Sequence, residues 1–552
     1  MVATAPTKLA HAFHAVRSGE GSPDLAHFRR RYPETVASLG ALPLREEWLR
    51  RIWEEETRWR AAWETRGGES AAEEVIVRGA PPAGRVAEGE FDVIYAGGGA
   101  ALLHAAALAC SHERRVLVVG GADEGEGATW NLSEDELKEL EGAGLFTAAE
   151  LEAAVLNRYR GGFVKFHDDA SRVKAGPLWV SGASDVVLDG GRLLALAAER
   201  LRRAKGCAVL ESQRFVRVYV EASRVTVETE GAGGARKLFA AGLFADASGP
   251  GSAVARQLNG GRELVSHVRP SVGTVARGFA RGEGRGEADF RAGELLVSTE
   301  DASAGRQLFW EGLAGSAARG DYATRLFFYD TADSPSDKSL LALFERYFES
   351  LPAYKRKGSG WRVERPLFSY GHVMREGWRS RRRAASERVM LLSCGAASAG
   401  AFAARGACSV ACDLRRAARL TDRALASGAA DADTLSEICD GGGARVTRAL
   451  GMAEFMRPAR GGAPHAVNET LNAVAAALGG LDERVRREFF QGRLSAGALR
   501  RLLARTARLY PRIFARVREH FGARGTLWWL AGVAEAAWKE RGRKDEGMMN
   551  EG

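Results

Sequence analysis

Between residues 25 and 65 the apolar positions recur at helical spacing: Phe28, Tyr32, Val36 and Leu39, then Leu44, Trp48, Leu49, Ile52 and Trp59. That period predicts helices. A Gly-, Ala- and Pro-rich stretch over 67–89 interrupts it and reads as a linker holding one short strand, Val75-Ile76-Val77. Then the period changes. Phe91-Asp92-Val93-Ile94-Tyr95-Ala96 is a short apolar run that stops at Gly97-Gly98-Gly99. An Ala/Leu-rich helix, Ala100 to Cys110, follows, and Arg115 to Val119 forms a second apolar run. Strand, glycine turn, helix and strand within about thirty residues is the βαβ unit of a dinucleotide-binding fold. The pattern next predicts an amphipathic helix over 190–205 and strands over 207–211, 214–220 and 224–229. A further strand closes on Asp246-Ala247-Ser248-Gly249. From 260 to 370 it is mixed, with strands at 271–279 and 325–330. The tail from 430 is helical and Arg-rich, and no internal repeat is present.

Composition narrows the class. The chain has 552 residues, 45% hydrophobic and 27% charged, which suits a soluble protein of two or more domains. It contains no apolar run of bilayer-spanning length, although peripheral contact with a membrane stays open. The net charge of +9 comes largely from arginine, as in 379–383 and the last hundred residues. Such patches suit anionic lipid or nucleic acid. The chain lacks helix-turn-helix, zinc-finger and RNA-recognition patterns, so no nucleic-acid partner is expected. The six cysteines form no CxxC pair and His is sparse near them, so the expectation is free buried thiols in a reducing compartment and no metal site. Residues 1–19 lack acidic side chains and faintly resemble an organelle transit peptide; a plain leader fits as well.

The Gly97, Gly98, Gly99 turn stands where a helix N-terminus offers free N–H groups, together with Ala100 and Ala101, to a phosphate. The fingerprint is incomplete. Its third glycine, which permits close helix–strand packing, is Leu102 here. The acidic residue expected after the second strand is replaced by Val119-Gly120-Gly121, with Asp123 or Glu124 as substitutes from the loop.

Downstream stand Trp130-Asn131-Leu132-Ser133, Glu136-Leu137, Leu140, Gly144-Leu145-Phe146-Thr147 and Glu150-Leu151. This block resembles one that follows the FAD-binding βαβ unit in CruA/CruP-type lycopene cyclases. Matching segments keep their order: Asp246-Ala247-Ser248-Gly249, Val272 to Phe279, Phe309-Trp310-Glu311, Phe328-Tyr329-Asp330 and Phe368-Ser369-Tyr370. The similarity runs from about residue 30 to residue 460.

The resemblance implies an α/β fold: a Rossmann-type FAD-binding domain with an inserted mixed β-sheet substrate domain and a helical C-terminal region. The boundaries are a helical leader over 1–66, a linker over 67–90, the first part of the FAD-binding core over 91–260, a substrate-binding region over 261–385, a late flavin-contacting segment over 386–428, and a helical, Arg-rich region over 429–552. It implies FAD as cofactor, with Asp246 and Gly249 among its contacts and Gly395 and Ala396 in a late flavin-contacting turn. In that turn Cys394 replaces the family's aspartate and Ala401 its proline.

The implied substrate is a carotenoid. Cyclisation needs a carboxylic acid that desolvation keeps protonated in an apolar pocket, and Glu311 is the candidate. Trp310 and Trp130 are either aromatic partners of a cation or core packing. His104 reads as surface or core filler, and the His167-Asp168-Asp169 cluster as a weak metal candidate. Trp528-Trp529-Leu530 suits either an interfacial anchor or a core helix. The competing expectation is a flavoprotein fold that has lost catalysis and retains a binding or regulatory role. Carotenoid chemistry places the protein in a plastid if the source is an alga or plant, and otherwise in the cytoplasm at a membrane surface.

Overall fold

The computed structural model describes residues 23–64, 74–120, 129–249, 251–374, 383–392, 406–439 and 450–549. Its first layer follows from short apolar runs buried on both faces. In Glu90–Ala96, Val93 and Tyr95 enter one core while Ile94 and Ala96 enter another. In Val116–Val119, Val116 and Val118 face the first core and Leu117 and Val119 the second. A strand covered on both sides reads as a continuous apolar run, as a parallel sheet requires. These strands are parallel neighbours, flanked in parallel by Ala208–Leu210 and Arg236–Asp246. An antiparallel meander, Arg214–Val220 and Val225–Glu230, extends the sheet, which reaches nine strands with Ile76–Arg78, Ala385–Ser386 and Val389–Leu391. The returning strand Val389–Leu391 lies parallel against the last residues of Arg236–Asp246. Helices Ala101–Ser111, Gly190–Arg203 and Gly406–Ser427 cover one face.

The second layer is an eight-stranded mixed sheet built on Val265–Phe279 and Lys357–Met374, which pair over nearly their whole length. Tyr322–Phe327, Phe309–Ala314 and Ala292–Val297 continue it, and Gly161–Lys165 and Leu178–Val180 reach it from the first half of the chain. One face packs on helix Leu340–Tyr354. There the Tyr347 hydroxyl lies 2.7 Å from Thr274 Oγ1 and 2.6 Å from Thr324 Oγ1, and Trp310 stacks on Tyr354 at 4.5 Å.

A third, three-stranded sheet contains the Trp-Asn-Leu-Ser block as Thr129–Leu132. Gly190 is required there, because a Cβ would stand 2.5 Å from the Trp130 ring. Ser133 and Glu136 then form a capping box for helix Glu134–Gly142. C-terminal helices fasten to the second sheet through Glu454, which pairs with His267 at 2.7 Å and with Arg457. Burial pulls the Glu454 carboxyl upward, but His267, His520 and Arg457 together hold it well below the usual carboxylate range.

The fold class expected from the sequence is the one observed. The inserted sheet is larger than its pattern suggested. The predicted strand 271–279 begins at Val265, and 325–330 lies at Tyr322–Phe327. The strands Ala292–Val297 and Phe309–Ala314 carry no alternation because every residue in them is buried. Cys110 is exposed and Cys207 half-buried; of the described thiols only Cys439 is buried, so the expectation of uniformly buried thiols fails.

Candidate functional site

The glycine turn lies at the carboxyl ends of two adjacent parallel strands. Gly97 N–H donates to Val119 O at 2.8 Å, and Ala247 N–H donates to Ala96 O at 2.7 Å. This knits the βαβ turn to the Asp246–Gly249 turn. Gly97 has φ +93°, and a Cβ there would stand 2.8 Å from the Ala247 carbonyl carbon and oxygen. Only glycine admits that crossing. Gly99 (φ +60°) and Gly249 (φ +113°) are different: a Cβ on either would meet nothing within 4 Å. Both open on free space beside the N-terminus of helix Ala101–Ser111, whose N-cap Ala100 contributes no side-chain cap. The geometry fits a pyrophosphate held by backbone N–H groups. Leu102 is 1% exposed and packs into the helical core in place of the expected third glycine.

Asp246 is buried and already engaged. Ser248 N–H donates to its Oδ1 at 2.9 Å, and the Ser252 hydroxyl donates to Oδ2. Ser252 in turn caps helix Ala253–Leu258 by accepting from Ala255 N–H at 2.9 Å. Burial raises the Asp246 carboxyl above its ordinary value. The structure therefore places Asp246 beneath the turn, where its carboxyl shapes the loop. Gly395 and Ala396, with Cys394 and Ala401, lie outside the described residues, as do Asp123 and Glu124.

His104 is a core group. Its Nδ1 is 2.7 Å from the Tyr95 hydroxyl and its Nε2 is 3.2 Å from Thr421 Oγ1. Thr421 uses its proton on Ala417 O, so its oxygen accepts from Nε2–H and Tyr95 donates to Nδ1. That arrangement needs a neutral ring, and burial pushes the His104 pKa down to about 4.

Glu311 lies on the second sheet, 1% exposed, on the face turned away from helix Leu340–Tyr354. Its surroundings correct the expectation of an apolar pocket. Glu311 pairs in register with Arg325 on the next strand, and Arg269 Nη1 stands 4.0 Å from Glu311 Oε1. Both arginines are buried, at 3% and 2% exposure. Burial lowers Arg325 to about 9, against the opposing pull of Glu311. Arg269 also lies 4.8 Å over the Phe327 ring. Gly371, opposite Arg269, leaves room for its guanidinium; a Cβ there would stand 3.3 Å from Nε. Both Glu311 oxygens and the Arg269 Nε and Nη1 have no hydrogen-bond partner. Sequence reasoning missed both arginines, because only cross-strand register brings them to Glu311. Asn131, quoted in the Trp-Asn-Leu-Ser block without a role, is 2% exposed with its amide nitrogen and oxygen both unpartnered. Trp310 points to the opposite face and is core packing, and Trp130 packs against Gly190.

The His167 cluster does not converge. His167 Nε2 is 3.6 Å from Asp169, whose side chain is 86% exposed, and no metal-binding group of three side chains occurs among the described residues.

No protein-family model and no curated protein matches the chain. Solved structures do. The halogenase PltM in complex with phloroglucinol and FAD aligns over 82% of this chain and 96% of its own, with TM-score 0.52 and 14% identity. The two chains share a fold. A geranylgeranyl bacteriochlorophyll reductase-like protein from Thermoplasma acidophilum aligns over 78% of this chain and 99% of its own, with TM-score 0.49 and 12% identity. At 14% identity the likeness to PltM concerns the fold alone.

Proposed function

We propose that this protein is an FAD-dependent enzyme acting on a lipophilic substrate, a carotenoid, in the manner of the lycopene cyclases that its sequence resembles. The observation that carries the flavin reading is the pair of open left-handed glycines, Gly99 and Gly249, at a helix N-terminus on adjacent parallel strands. Gly97 to Ala101 and Gly249 would hold the dinucleotide phosphates, with Asp246 shaping the turn beneath them. Gly395 and Ala396 would supply the late turn. Bound flavin supplies electron-rich or redox chemistry beside the substrate. Glu311 is the catalytic carboxylate, reaching the substrate from the sheet, with the Arg269 and Arg325 guanidiniums beside it.

Visible absorbance of the purified chain with added FAD tests the reading. The two-band spectrum of bound oxidised flavin is expected, together with turnover of an acyclic carotenoid that Glu311→Gln removes. A chain that stays colourless after reconstitution would leave a scaffold without catalysis as the better account.

A carotenoid enzyme must meet a membrane surface. Helix Ile513–Met549 supports this second part of the proposal. Beyond a break at Gly522, Leu527 (67% exposed) and Trp538 (75%) lie on the side opposite the inward-packed Trp529 and Val533, with Leu530 (50%) on the flank. Exposed Arg508, Arg512, Arg518 and Arg524 add positive charge nearby, which suits an anionic bilayer. No helix among the described residues is long and apolar enough to cross a membrane. Cosedimentation with vesicles of phosphatidylcholine and phosphatidylglycerol checks the contact. Binding should weaken with salt and with Leu527→Ser/Trp538→Ser, and its absence at low salt would remove this part of the proposal.

A further inference from the structure

The Arg269–Glu311 pair is open where a structural ion pair would be closed. Charge-assisted N–H···O bonds settle near ~2.8 Å, whereas Arg269 Nη1 and Glu311 Oε1 stand 4.0 Å apart. Both groups are almost fully buried, so bulk solvent does not reach them. Leaving buried charged donors and acceptors unmade is costly, so the gap calls for an occupant rather than for packing.

The chemistry of the two sides selects that occupant. Arg269 Nε and Nη1 are donors seeking an acceptor, and Glu311 Oε1 and Oε2 are acceptors seeking a donor. An anion would suit the Arg269 and Arg325 guanidiniums but would leave the Glu311 oxygens without a donor. An ammonium would do the reverse, and a hydrocarbon satisfies neither. A hydroxyl does both: its oxygen accepts from Arg269 while its proton goes to Glu311, with each contact at about 2.8 Å. Phe309, Leu313 and Phe327 share this sheet face by register with Glu311 and Arg325, so the polar gap sits in an apolar frame. The layer also lies toward the dinucleotide fold. Arg269 is four residues along the strand that enters at Val265, and that end pairs with Met374, near which the chain leaves for the first sheet.

We infer that the Arg269–Glu311 gap binds a substrate hydroxyl, so that the substrate is an oxygenated lipophile and not a bare hydrocarbon. This rests on the reading that the Glu311 face of the sheet receives substrate, and it narrows the substrate class proposed above.

The test needs no variant at first. The full-length protein is titrated, in detergent micelles, with an acyclic C40 polyene hydrocarbon and with the same polyene carrying one terminal hydroxyl. A matched pair without the polyene, a linear C20 isoprenoid alcohol and its deoxygenated hydrocarbon, is titrated in parallel. The hydroxylated member should bind about ten- to hundred-fold more tightly. Glu311→Gln, which keeps the shape and removes the charge, should cut that preference. If neither polyene binds but the C20 alcohol is still preferred, the carotenoid reading falls and the hydroxyl site stands. Equal binding within both pairs, or a preference unchanged in Glu311→Gln, overturns the inference and assigns the gap to water.

Discussion

Two clusters of buried polar groups, one on each large sheet, are arranged in opposite ways. Around the glycine turn every buried polar side chain described above has a structural partner. Asp246 is held by Ser248 and Ser252, and His104 stands between Tyr95 and Thr421. On the second sheet, Arg269 and Glu311 are as deeply buried, yet they face each other across 4.0 Å with atoms unpartnered. A cofactor gripped by backbone N–H groups asks little of side chains, so side chains near it are free to brace the loop. A substrate recognised by side chains requires them to stay unsatisfied until it arrives. The contrast separates a scaffold that shapes a backbone site from one that displays functional groups.

Four measurements sharpen or break that contrast. The largest effect is expected at the open pair: Glu311→Gln should lower turnover by about 10²- to 10⁴-fold, with little change in thermal midpoint or flavin binding. A variant as active as the parent would make the open pair irrelevant to chemistry. Next, Gly97→Ala forces a Cβ against the Ala247 carbonyl at a left-handed backbone position. It should cost about 2–4 kcal/mol in denaturant unfolding and weaken FAD retention together with stability.

The His104 relay makes a pH prediction. In the unfolded chain the ring titrates near its ordinary 6.5, while in the fold it stays neutral to about 4. Protons then bind the unfolded state preferentially over that window, so stability falls as pH drops from 6.5 to 4 and levels off below. The slope is about 1.4 kcal/mol per pH unit, or about 3 kcal/mol in all. His104→Gln should flatten the profile, and an unaltered profile would remove the relay from the account. The smallest effect concerns Ser252→Ala, which strips a helix cap and one partner of Asp246. A loss of about 1–2 kcal/mol is expected, with FAD affinity reduced far less than by Gly97→Ala.

Legibility followed the same division. The βαβ unit was readable because a strand buried on both faces, a glycine turn and an Ala/Leu helix are each local patterns, and they lie within 90–119. The helical N- and C-terminal regions were readable from apolar spacing. The inserted sheet was only partly so. Phe309–Ala314 carries a glutamate and a glycine in a fully buried strand, and no periodic template distinguishes that from a loop. Glu311 itself could be picked from its aromatic neighbours, but Trp310 turned out to face the opposite layer.

By itself the sequence determined the dinucleotide-type turn, its departure at Leu102 and the excess of arginine at the C-terminal end. These depend on neighbours within a few residues, where backbone geometry couples directly to residue type. Only the tertiary structure decided what surrounds Glu311, that Asp246 turns inward, and that His104 bridges two helices and a strand. Arg269 and Arg325 lie 42 and 14 residues from Glu311 in the chain. Strand register sets their approach, and register is a property of the assembled sheet that no local pattern encodes.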